Sequence, residues 1–248
     1  MDSQQIIQSH LLIDGYIAHM FGPQDAEAYH ASLLRTEPRL IQWHASGSEF
    51  LGHFFAAPPA GLESHQQDWV IDLATKDTGL VIPQQIWAPR KPSDAQRYVY
   101  HEQLRPPIFF IHKDGESLGI PVTEAAAGNC MHLRGADQAA AVGPTNHTQI
   151  RINWCGYRYL EWSDQIMIQR QTKETISLEK FAKYVAGKVL KFMEVAKSSA
   201  HVNDQRWLIG DNHITPRNVI LIGVIQVSQG SWMPILQLNN GFALCLGM

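Results

Sequence analysis

Helical and strand signals that do not alternate strictly predict an α+β chain. Its parts are a largely antiparallel sheet, a helical N-terminal segment over residues 1–36, and one long amphipathic helix packed on the sheet. Three observations carry this reading. From Ser177 to Ser198, Leu178, Phe181, Val185, Val189, Phe192 and Val195 recur every three or four positions, with Lys180, Lys183, Lys188 and Lys191 off that stripe. From Leu40 to Pro121, short apolar runs lie between Gly and Pro punctuation. The run from Val219 to Ile225 has the β-branched content and length of a buried central strand.

In chain order, Ile6, Ile7, Leu11, Leu12, Ile13, Tyr16, Ile17 and Met20 form a helical stripe from Ser3 to about Met20, stopped by Phe21-Gly22-Pro23. A second helix spans Asp25 to Leu34. Trp69–Leu73 and Gly79–Pro83 read as strands, and Ala88–Asp94 as a proline-interrupted loop. Pro107 to Lys113 is one arm of a hairpin and Glu116 to Val122 the other, with Asp114-Gly115 as a two-residue turn of positive φ angles. The Ala-rich stretch from Gly135 to Gly143 has no assigned element. Ile150, Ile152 and Trp154 share one face of a half-buried strand, and Arg151 and Asn153 the other. Ser177 is placed to cap the long helix through its hydroxyl. Gln229-Gly230-Ser231 turns the Val219 strand into a hairpin partner, Trp232 to Leu238.

With 248 residues, 45% of them hydrophobic, the chain can bury one large core, and a single domain over 1–248 is expected. A charged fraction of 17% and a net charge of −3 argue against a disordered chain and against a nucleic-acid binder. The N-terminus lacks the basic region of a secretory signal, and there is no uncharged run of about 18 residues that could span a bilayer. A cytoplasmic protein without a membrane partner is expected. Cys130, Cys155 and Cys245 are odd in number and lack CxxC spacing, so neither a disulfide scaffold nor a structural zinc site is expected.

The chemistry-bearing motifs compete with simpler readings. His112 and Asp114, in Phe109-Phe110-Ile111-His112-Lys113-Asp114-Gly115, have the His-x-Asp spacing of a non-haem Fe(II) centre, because alternate strand residues point the same way. His147 or His213 would complete such an oxygenase site, and a later basic residue would bind a cosubstrate carboxylate: Arg217 lies rather close to His213 for this, whereas Arg151 after His147 has the better strand context. The hairpin turn requires less, since Asp-Gly between apolar runs is a strong turn signal and the chain has 12 histidines. Cys130, in Gly128-Asn129-Cys130, would be the nucleophile of a thiol hydrolase or transferase, with His213 as base. The tripeptide resembles that of ovarian-tumour-type deubiquitinases, although the aromatic residues flanking that family's site are absent. A buried free thiol is the competing reading. Seven tryptophans could form a ligand platform, but core packing explains most of them. No Walker A, Gly-x-Gly-x-x-Gly, Gly-x-Ser-x-Gly or His-Glu-x-x-His motif occurs.

Ile150-Arg151-Ile152-Asn153-Trp154-Cys155-Gly156-Tyr157, Trp162-Ser163-Asp164-Gln165-Ile166, the long helix and Gly230-Ser231-Trp232-Met233-Pro234 together resemble a family of uncharacterised basidiomycete fungal proteins. The resemblance covers about the last 100 residues and implies an intracellular fungal origin. Those relatives tend to have Pro where this chain has Cys155, and they transfer no catalytic residue. The expected function is binding of a small molecule or protein partner, with no cofactor unless the Fe(II) alternative holds. Self-association through the C-terminal hairpin is the expected oligomeric mode.

Overall fold

The computed structural model describes residues 14–37, 41, 43–47, 52–59, 68–75, 80–95, 103–169, 174–199 and 202–239. The described helices are α1 (Tyr16–Phe21), α2 (Pro23–Leu34), α3 (Pro92–Ala95), α4 (Val122–Ala127) and α5 (Leu178–Lys197). The strands are β1 (Trp43–Gly47), β2 (Gly52–Ala56), β3 (Trp69–Leu73), β4 (Ile108–Phe109), β5 (Ile120–Pro121), β6 (His147–Ile152), β7 (Trp162–Met167), β8 (Val219–Ser228) and β9 (Ser231–Leu238). This is an α+β architecture with mostly antiparallel sheets. No described helix is long and apolar enough to cross a membrane.

The larger sheet has six strands in the order β4-β8-β9-β6-β7, with β5 also on β8, and the smaller one is β1-β2-β3. The β6–β9 pair is parallel, with Gln149 opposite Ser231; all the other paired strands run antiparallel. β8 and β9 form the expected hairpin, and nearly every side chain in it is buried. They lie inside the sheet, flanked by β4 and β5 on one side and by β6 on the other. Among the described residues the hairpin is therefore flanked on both sides, whereas the self-pairing expected of it would need an edge position.

The large sheet separates two apolar layers. On one side Phe181, Val185, Val189 and Phe192 of α5 pack with Leu221, Val224, Trp232 and Leu236. On the other, Ile17 and Met20 of α1, Leu33 of α2 and Ile71 of β3 pack with Ile225, Met233 and Ile235. A bulge between Leu221 and Gly223 shifts the phase of β8. Val219 and Leu221 consequently face the α5 layer while Ile225 and Val227 face the other, although all four are odd-numbered. Gly223 is needed at the bulge, because a Cβ there would lie 2.5 Å from the Ile108 carbonyl oxygen of β4.

Several local expectations are revised. The Asp114-Gly115 turn is longer than two residues: the His112 N–H donates to the Ser117 carbonyl (3.0 Å) and the Gly115 N–H to that of His112 (3.0 Å). Gly115 takes a positive φ of 79° and Asp114 does not. The two arms meet through the Ile111–Leu118 bridge and the Gly119 N–H, which donates to the Phe110 carbonyl (2.8 Å), while Ile120–Pro121 pairs with β8 and Val122 already opens α4. Ser177 occupies the N-cap of α5 without a side-chain capping bond. The first-turn N–H groups of Leu178 and Glu179 donate instead to the carbonyls of Gln138 and Ala136, at 2.8 and 2.9 Å. The Ala-rich stretch that local pattern left unassigned thus caps the long helix. Of Gly79–Pro83, Val81 forms one isolated bridge to Gln237. The helical stripe proposed before Asp14 lies outside the described residues.

Asp72 of β3 anchors the N-terminal layer. Its buried carboxylate accepts the Ile17 N–H at 3.2 Å and the Leu73 N–H at 2.8 Å, so it caps the first turn of α1. Gly15 makes room for it, since a Cβ at that position would overlap the carboxylate.

Candidate functional site

His112, Asp114, Cys130, His147 and His213 do not converge. Asp114 serves its own turn: Oδ1 accepts the Glu116 and Ser117 N–H groups at 2.8 and 3.0 Å, and Oδ2 accepts the Ser117 hydroxyl at 3.0 Å. Those backbone bonds hold its pKa below the ordinary carboxylate value. His112 Nε2 lies 2.7 Å from the Gly119 carbonyl oxygen, a pure acceptor, so that nitrogen carries the proton and is not a metal donor. The imidazole of His132 lies beside that of His112, with ring centroids 4.3 Å apart. His147 opens β6 and is exposed, as is His213, whose N–H donates to the Gly210 carbonyl. Among the described residues no three His, Cys, Asp or Glu side chains are grouped so that they could hold a metal ion.

The Cys130 thiol is fully buried beneath α4, 3.9 Å from the Ala125 carbonyl oxygen. Burial, and then the Glu179 carboxylate, push its pKa up to about 11 against the opposing charge of Lys183. None of these groups is an imidazole. Native protein is expected to leave Cys130 unalkylated by iodoacetamide at pH 7 while urea-unfolded protein reacts, which intact-mass and peptide mapping would read. Selective native modification at Cys130 would restore the thiol-enzyme reading.

The residues the fold does bring together lie where the N-terminal layer stops short of β6. Residues 81–85 wedge in where β6 and β9 diverge. The Ile82 N–H donates to the Leu236 carbonyl (2.8 Å), the Gln85 N–H to that of Asn153 (3.2 Å), and the Cys155 N–H to that of Pro83 (3.1 Å). Buried Gln84 locks the wedge: its N–H donates to the Met20 carbonyl (2.8 Å), its Nε2 to that of Pro234 (2.6 Å), and its Oε1 accepts the Asn153 N–H (3.2 Å). The chain leaving the wedge carries Trp87 against β6.

There the Arg151 guanidinium stacks on the Trp87 ring, with its central carbon 3.8 Å from the ring centroid. Arg151 Nε donates to the Ser231 hydroxyl at the start of β9 at 2.9 Å, as the parallel β6–β9 register allows. Two of the three donor nitrogens of the guanidinium remain, and among the described residues they have no hydrogen-bond partner. Arg151 is half-buried, and desolvation lowers its pKa from the ordinary arginine value while the Glu161 carboxylate opposes the shift.

Two cavities meet at this pair. One, of about 430 Å³, is lined by Trp87, Arg151, Lys91 and Ser231 among others. Its neighbour, of about 380 Å³, shares Trp87, Arg90 and Arg151 and adds Asn153, Arg158 and Glu161. Arg90 is paired with Glu161 at 2.6 Å. Across both cavities Arg90, Lys91, Arg151 and Arg158 face Asp94 and Glu161, so cations prevail. A planar guanidinium fixed by stacking and by one hydrogen bond presents its remaining N–H groups as a fork, the geometry that matches a carboxylate or phosphate.

Part of this site is legible in the sequence: alternation puts Arg151 on the polar face of its strand, where a guanidinium can meet a carboxylate. Trp87, at the edge of a proline-rich loop, and Ser231, in a turn, carried no local signal that they would meet it. No protein-family model matches the chain, and no curated protein or solved structure matches it either.

Proposed function

We propose that the chain is a binding protein for a small anionic molecule, held by the Arg151 fork in the Trp87 cleft. The observation that carries this reading is the half-buried guanidinium, stacked at 3.8 Å on an indole and hydrogen-bonded through Nε, with donors left over beside two cavities. Desolvating a cation is unfavourable unless an anion or several acceptors compensate, so such a group gains from a carboxylate or phosphate ligand. A ligand that binds the folded state alone raises its melting temperature by mass action.

Thermal unfolding with citrate, succinate and inorganic phosphate, at ionic strength matched with chloride, tests the proposal. At saturation at least one of these anions is expected to raise Tm by about 5 °C or more. The rise is expected to vanish in Arg151→Gln and to persist in Lys197→Gln, at the end of α5, which pairs with Asp211 and lines neither cavity. No shift with any of the three, or a shift retained in Arg151→Gln, would overturn it.

A further inference from the structure

Among the described residues β7 is the outer strand of the large sheet, paired on one side only. The Gln149 N–H donates to the Gly230 carbonyl, so Gln149 and Arg151 direct their backbone groups toward β9, and Thr148, Ile150 and Ile152 direct theirs toward β7. Opposite those three stand Ile166, Asp164 and Trp162. Ser163, Gln165 and Met167 therefore turn their N–H and C=O groups outward. Among the described residues only the Gln165 N–H has a partner there, Asp164 Oδ1 at 2.8 Å.

A groove of about 540 Å³ lies between this edge and α5. Ile166, Met167 and Tyr184 supply its apolar surface, and Met167 is 54% exposed. Gly187 keeps the helix side open, because a Cβ there would meet nothing within 4 Å. Lys183, Lys188 and Lys191 also line the groove. Asp164 Oδ2 is shared between Lys191 at 2.6 Å and Lys188 at 3.0 Å, so three ammonium groups face one carboxylate.

We propose that this groove takes an extended acidic segment of a partner protein, which adds a strand to β7 and sets its carboxylates against the α5 lysines. Backbone groups in an open edge supply affinity for any strand, and side-chain pockets on alternate residues supply selectivity. Charge decides the occupant. A second copy of this chain paired antiparallel about Gln165 would bring the two lysine rows together, whereas an acidic strand neutralises the excess.

The test is fluorescence anisotropy of a labelled peptide of about seven residues, alternating glutamate and valine, titrated with the full chain at low salt. Saturable binding is expected, weakened at high salt, with no binding of the lysine–valine counterpart. Ser163→Pro removes an outward N–H that has no partner among the described residues and no bond of the β6–β7 ladder, and it is expected to weaken binding at least about tenfold. The surface double variant Lys183→Glu/Lys191→Glu is expected to do the same, and it provides the comparison should the proline variant not fold. Absence of saturable binding, or binding unchanged in the folded variants, overturns the proposal. So does concentration-dependent dimerisation lost in Ser163→Pro, which would assign the edge to a second copy.

Discussion

Replacing Asp72 with alanine is expected to lower stability by about 3–5 kcal/mol, read as a reduced urea midpoint. The carboxylate is buried and accepts backbone N–H groups at the start of α1 and at Leu73, and its removal strands those donors away from water. Asp72→Asn keeps one acceptor oxygen and should lose less. Its pH dependence separates charge from shape. Burial raises the Asp72 pKa to about 8 from 3.8, outweighing the backbone N–H bonds that pull it down. The unfolded carboxyl releases its proton near the ordinary value, so between that value and about 8 the folded state holds the extra proton. The stabilisation is full below the unfolded pKa and is lost as pH rises toward 8. Asparagine has no such proton, so the deficit of Asp72→Asn relative to wild type should shrink from pH 5 to pH 8. A deficit that stays constant over that range would mean that Asp72 is ionised throughout and acts as a charged cap.

Trp154→Ala is expected to cost about 3–5 kcal/mol. Trp154 is fully buried at the end of β6 and packs on Phe192 of α5, with ring centroids 5.9 Å apart. Its indole N–H donates to the Trp207 carbonyl at 2.9 Å, which ties the segment after α5 to the sheet. Alanine leaves a cavity and an unsatisfied carbonyl together. Trp154→Phe fills most of the volume and isolates the second loss, expected at about 1–2 kcal/mol. Urea unfolding with an unchanged m value would confirm that the loss is one of native stability. Because Arg151 points to the opposite face of β6, Trp154→Phe should retain the anion-induced rise in Tm. Its loss would mean that the two faces of the strand are coupled.

Trp154 and Trp87 illustrate how far local pattern reaches. Alternation with Ile150 and Ile152 marks Trp154 as a buried strand residue, and the structure places it so. Trp87 sits between Ile86 and Ala88 with no period to read, and it acquires its role from the wedge of residues 81–85. The Asp114-Gly115 pair shows a middle case: composition identifies the turn, while the number of residues in it follows from how Ile111 and Leu118 bridge around it. The Ala-rich stretch before β6 lacked any local signal because it works through its carbonyls, which every residue has.

The elements whose evidence is local and repeated can be read from the residues alone. The three-to-four-residue period of α5, the β-branched run of β8, the turn into β9 and the α+β class all follow from which side chains favour one face or one backbone shape. Adjacency comes from the packing of distant segments. The bulge in β8 reverses which odd-numbered residues face each layer, the parallel β6–β9 register brings Arg151 onto Ser231 80 residues on, and β8–β9 becomes the inside of the sheet instead of its rim. Periodicity specifies that a face is apolar without naming the surface that covers it. That choice is made by the joint burial of segments far apart in the chain, and the cleft at Arg151 and the open edge of β7 are its consequences.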